Sequence, residues 1–238
     1  MRIGAALSTD PDPAKATAEA VEEAGSRLGG AEVSLAVVVA SRHHAPSAEV
    51  ASEVVRVKTG AVRVIGCVAE TVVGGDREVE DGPAVAVWLA SLPTPVETFH
   101  MEFVRTSEGG VFGGYRFEEA GPSPYLLIGD PFSFPTDLLL GHVNERVPGT
   151  VVMGGMASGG MGLGDTRLFL DDRVVDTGAV GVRVPGIRIR ALVSQGCRPI
   201  GNVYTVTRAD GNVIYELGGR PPQAATIGRT IHETVVGD

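Results

Sequence analysis

Two cysteines are the strongest nucleophiles in the chain, and one of them, Cys197, sits in the compact stretch SQGCRPIG at residues 194–201. A reactive thiol needs surroundings that stabilise the thiolate and usually a histidine base. Arg198 would lower the Cys197 pKa, but the nearest histidine in sequence is His232. The other candidate bases, His100 and His142, fall on a predicted strand and a predicted helix. No G-x-S-x-G pattern supplies a serine alternative. Cys197 and Cys67 therefore stand as weak catalytic candidates, and a binding loop accounts for the stretch better. Gly196 and Gly201 permit a tight bend, Pro199 stiffens it, and Ser194, Gln195 and Arg198 offer groups suited to a carboxylate or an amide. A structural loop in which Arg198 pairs with a buried acid explains the same residues equally well.

Other segments carry ligand chemistry. MGGMASGGMGLGD, residues 153–165, has six glycines in thirteen positions, including Gly155 and Gly159 around Ser158. Such a loop can present backbone N–H groups to an anion, although it lacks the GK[ST] ending of a phosphate loop. A strand-crossing turn needing positive φ is the alternative. Asp130 and Ser133 follow directly on a buried strand, where α/β sheets tend to place ligands, and capping of the next helix by Ser133 or Thr136 accounts for the same residues. The acids of GDREVEDG, residues 75–82, suit a cation or amine site, but a solvated hairpin loop is favoured. His43-His44 is the only histidine pair, and a solvated loop is its better reading. No CxxC, HExxH or clustered His/Cys spacing supports a metal site, and no cofactor motif is present.

These residues need a scaffold. The chain has 238 residues, 43% of them hydrophobic, enough to bury a substantial core. No apolar run reaches the roughly 18 residues of a membrane span. The N-terminus turns polar too soon for a signal peptide, which implies a cytoplasmic protein in which a structural disulfide is disfavoured. A net charge of −9 without a basic cluster argues against a nucleic-acid partner. Helices are expected over 14–28, 46–60 and 134–149. Strands are expected over 33–41, 62–69, 84–92, 96–104, 125–130, 150–158 and 187–196, with a hairpin over 166–184.

The order repeats. Residues 65–69 match 154–157, and 81–87 match 176–182, in the same sequence of elements, which predicts two similar β-α-β-β-β halves at about 31–105 and 124–201. Each half is too thin to bury its sheet alone. The expected fold is α/β, with layered mixed sheets flanked by helices as an α-β-β-α sandwich; a single continuous mixed sheet is the alternative.

With IGCVAE (65–70), REVEDGPAVAVWLA (77–90), PGTVVMGGMASGG (148–160), SQGCRPIG (194–201) and YTVTRADGNVIYELGGRP (204–221), the chain resembles the FIST (F-box and intracellular signal transduction) family. The resemblance implies an N-terminal-type domain, placed at 1–210, with 211–238 the start of a second, C-terminal-type domain. It implies a cytoplasmic sensory domain that binds a small ligand such as an amino acid and partners a signalling protein. The expected site gathers Arg198, Gln195, Ser194, Cys197, Gly155, Ser158, Gly159, Asp130, Ser133, Cys67 and Glu70. Two further readings stay open: a cysteine-dependent amidohydrolase-like enzyme, and a scaffold completed by a separate C-terminal-type chain. Apolar surface left by the tail would favour self-association.

Overall fold

The computed structural model describes residues 1–61, 63–107, 109–190, 192, 203–210 and 213–222. It divides into two compact units, Met1–Ala191 and Leu192–Asp238.

The first unit begins with β1 (Arg2–Ser8), α1 (Pro13–Ser26), β2 (Leu35–Ser41), a 3-10 turn over Arg42–Ser47, α2 (Ala48–Thr59) and β3 (Val64–Ala69). The short hairpin β4 (Val72–Gly74) and β5 (Arg77–Val79) precedes β6 (Val85–Ser91). Then come β7 (Glu97–Thr106), β8 (Gly109–Gly113), α3 (Phe117–Ala120), β9 (Pro124–Gly129), α4 (Thr136–Arg146) and β10 (Val151–Met156). The unit closes with β11 (Leu168–Leu170), β12 (Arg173–Val175) and β13 (Ala179–Arg183). In the second unit, β14 (Val206–Asp210) and β15 (Val213–Leu217) form an antiparallel hairpin.

Two main sheets carry the first unit. One has the order β1-β6-β2-β3-β11-β12 and the other β10-β9-β13-β7-β8. β2 and β3 are parallel with α2 as their crossover, and β9 and β10 are parallel with α4 as theirs. β6 runs antiparallel beside β2, and β13 runs antiparallel beside β9.

Three apolar cores stack these parts as α-β-β-α. Ala16, Ala20 and Ala24 of α1 and Val55 of α2 pack with Val38, Val64 and Leu89 of the first sheet. The small alanine face lets α1 lie close, to the point that a Cβ on Gly4 would fall 2.0 Å from the Ala24 carbonyl oxygen. Between the sheets, Leu35, Ile65 and Leu168 meet Val180 and Val182. Beyond the second sheet, Tyr125 and Leu127 pack with Leu139 and Val143 of α4. Each fully buried aliphatic side chain contributes about 1.5–3 kcal/mol of transfer free energy, so the layered stack is the main source of stability.

The layered mixed-sheet fold is as expected, and the single continuous sheet does not form. Several placements differ. β6 and β7, two successive strands as expected, belong to different sheets, so the turn around Pro93 and Pro95 crosses between layers. The expected hairpin over 166–184 likewise splits: β11 and β12 extend the first sheet through β3, while β13 enters the second. Ile187–Arg190 carry no strand.

Candidate functional site

The parallel pairs direct the ends of β3 and β10 toward one another. The backbone N–H of Glu70, just past β3, donates to Ser158 Oγ at 3.0 Å, and the N–H of Gly159 donates to the Val68 carbonyl at 3.2 Å. Arg42 Nε donates to the Gly159 carbonyl at 3.1 Å. Asp165 Oδ2 accepts the Met161 N–H at 2.8 Å, closing the glycine-rich loop on itself. The loop is thus clamped to the C-terminal end of β3 and to the turn after β2. Glu70 and Ser158 are exposed at this junction, and Gly159 is buried. Three of the expected site residues, Glu70, Ser158 and Gly159, meet here. Arg42 was missed: its contact with Gly159 spans 117 residues, and no local pattern marks it.

Asp130 is held internally. It is fully buried; Oδ1 accepts from Thr166 Oγ1 at 2.6 Å and Oδ2 accepts from Ser133 Oγ. Its N–H donates to the Gly178 carbonyl at 2.8 Å, while Ser133 Oγ accepts the Gly178 N–H at 2.8 Å. The carboxylate therefore ties β9 to the segments entering β11 and β13. Neither Ser133 nor Thr136 caps α4, whose N-cap is Pro135 without a side-chain bond.

Cys67 lies in the core between the sheets, opposite Leu168, and burial pushes its thiol up to about 12. A thiol that stays protonated is neither a nucleophile nor a metal ligand. In a Cys197→Ser chain, Cys67 should react with a thiol reagent at neutral pH about three orders of magnitude more slowly than an exposed cysteine, because the thiolate fraction falls in that proportion. Labelling followed by intact mass checks this; rapid native labelling would mean the inter-sheet core opens. Ser194, Gln195, Cys197 and Arg198 lie outside the described residues.

The histidine pair is not a solvated loop. It lies in the 3-10 turn Arg42–Ser47, where His44 is 3% exposed, and burial, followed by repulsion from His43, lowers its pKa. A turn wedged between β2 and α2 must bury one of two successive side chains. The acids of 75–82 are exposed around the hairpin β4–β5, as the hairpin reading expects. Among the described residues, no group of three or more His, Cys, Asp or Glu side chains is placed to hold a metal ion.

A cleft opens elsewhere. At the end of the second sheet where β7 begins and β13 finishes, a cavity of about 760 Å³ is lined by Glu97, Phe112, Tyr115, Arg116, Glu119 and Arg183 among others. Tyr115 stacks on Phe99 with ring centroids 3.9 Å apart, and burial raises the pKa of its hydroxyl. This cleft has no counterpart in the sequence reading, because Arg183 and Glu97 look there like ordinary strand residues.

The family model described as the FIST N domain matches residues 34–220. The chain is 52% identical over 222 residues to an uncharacterized protein of Mycobacterium tuberculosis (strain ATCC 25618 / H37Rv), covering 93% of this chain and 58% of that protein. It is 49% identical over 223 residues to an uncharacterized protein of Mycobacterium bovis, covering 93% of this chain and 57% of the relative. The chain thus spans less than three fifths of the length of these curated relatives. Among the described residues, no helix is long and apolar enough to cross a membrane.

Proposed function

This chain belongs to the FIST N domain family, a family associated with signal transduction, and from that premise we propose that it is a cytoplasmic sensory module that binds a small molecule, in the first instance an amino acid, and performs no chemistry on it. The observation that carries this reading is the meeting of Glu70 and Ser158 at the glycine-rich loop. Residues 88 positions apart are joined by a hydrogen bond, with an exposed carboxylate beside a glycine-rich loop. In the proposed arrangement, Glu70 takes the ligand ammonium and N–H groups of the glycine-rich loop take its carboxylate. Asp130, Ser133 and Cys67 support the walls and do not touch the ligand. The buried, protonated Cys67 favours binding over a hydrolase that would use it.

Thermal-shift measurement against the twenty amino acids tests the proposal. At least one should raise the midpoint of the wild-type chain, as any ligand that binds only the folded state must. Glu70→Gln should weaken that ligand about tenfold or more, the effect of losing one charge-assisted contact. Absence of any stabilisation, or an unchanged response in Glu70→Gln, would count against this site.

A further inference from the structure

The cleft at the start of β7 is built around one held cation. Arg183 donates through Nε to Ser123 Oγ at 3.1 Å and through Nη2 to the Ala120 carbonyl at 2.6 Å. These bonds fix the guanidinium plane, with the side chain only 24% exposed. Nη1 and the second Nη2 hydrogen have no protein acceptor among the described residues. That terminal edge is the fork that matches a carboxylate.

Beside it stands an acid. Glu97 Oε2 lies 4.0 Å from Arg183 Nη1, outside hydrogen-bond reach, and among the described residues accepts only the long 3.5 Å bond from the Tyr115 hydroxyl. Arg116 and Glu119 at the rim satisfy each other at 3.0 Å and add no net charge. The cleft therefore offers one open donor fork and one open acceptor, side by side. A bare anion on Arg183 would meet the charge of Glu97, and a bare cation on Glu97 would meet Arg183. A group that carries both functions satisfies both.

We propose that this cleft binds a small molecule in which a carboxylate is flanked by a hydrogen-bond donor, the carboxylate on the free edge of Arg183 and the donor on Glu97, with the remainder against Phe112 and Tyr115. The shared chemistry comes in two forms, a 2-hydroxy acid or a 2-amino acid. The site is separate from the Glu70 junction and does not depend on it.

Four probes of similar size separate the contributions: L-lactate, L-alanine, propionate and isopropylamine, each titrated into the full chain and followed by the amide resonances of Gly113 and Gly114. Lactate or alanine should shift these resonances at concentrations about tenfold below propionate and isopropylamine. Arg183→Lys should abolish the preference, but it also disturbs the bonds to Ser123 and Ala120. Glu97→Gln is the cleaner variant, since Glu97 is 56% exposed and its replacement keeps the packing. It should bring propionate up to the level of lactate and weaken alanine. An equal response to all four probes, no shift at Gly113 and Gly114, or an unchanged order in Glu97→Gln would overturn the proposal. If alanine binding is lost in Glu70→Gln and untouched in Glu97→Gln, the Glu70 reading stands and this one falls.

Discussion

Replacing Asp130 by Ala should cost this chain about 3 kcal/mol of stability, seen as a lower urea midpoint. The carboxylate is fully buried, and removing it leaves the hydroxyls of Thr166 and Ser133 without their acceptor. The stranded buried donor of Thr166 costs about 1–3 kcal/mol, and half-buried Ser133 adds a smaller share. Ser133 would also lose the anchor that aims its oxygen at the Gly178 N–H, loosening the entry to β13. Asp130→Asn keeps the shape and one acceptor oxygen, and should cost about half as much. The comparison separates two roles: a carboxylate reserved for a ligand would be dispensable to stability. If Asp130→Ala unfolds within about 0.5 kcal/mol of wild type, the range of ordinary surface substitutions, the buried tether described here is wrong.

Gly66→Val should have the larger effect and prevent folding. Gly66 lies in the middle of β3, hydrogen-bonded between β2 and β11. A Cβ there would fall 1.8 Å from the Val38 carbonyl oxygen and 2.9 Å from the Phe169 ring. The first of these neighbours is backbone of the adjacent strand and cannot move without breaking the ladder. The expected cost exceeds about 4–5 kcal/mol, a large part of a domain's usual 5–15 kcal/mol. Soluble yield and far-ultraviolet circular dichroism read the outcome. Gly155→Ala is the matched control: nothing lies within 4 Å of its Cβ position and its φ is not in the left-handed region. It should fold normally, so any change in ligand response would report on the glycine-rich loop. A well-folded Gly66→Val chain would contradict the β2–β3 packing.

What could be read from the residues alone follows from how local each signal is. β2 and β3 are continuous apolar runs buried on both faces, and α1 and α2 carry helical spacing with glycines after their ends, so these elements were legible. β1, with Arg2 and exposed Ile3 at its start, carries a weaker pattern. The crossing between β6 and β7 was not legible, because a proline turn looks the same whether it returns a strand to its own sheet or hands it to the next. Site residues follow the same rule. Asp130 was recognisable as special from its place after a buried strand, yet its role depends on Thr166, a partner only the folded chain brings near. Ser158 and Glu70 were each singled out for local reasons, and their hydrogen bond could not be. Arg42 and Arg183 gain their roles wholly from tertiary placement, so nothing in their neighbourhoods announced them.

The central claim is reversible binding of a small molecule without turnover, and native mass spectrometry of the full chain with amino acids addresses it most directly. The account predicts a one-to-one adduct at the mass of the intact ligand, released unchanged on denaturation, and diminished in Glu70→Gln. A ligand recovered as a hydrolysis product, or a covalent adduct that survives denaturation on Cys67 or Cys197, would contradict it.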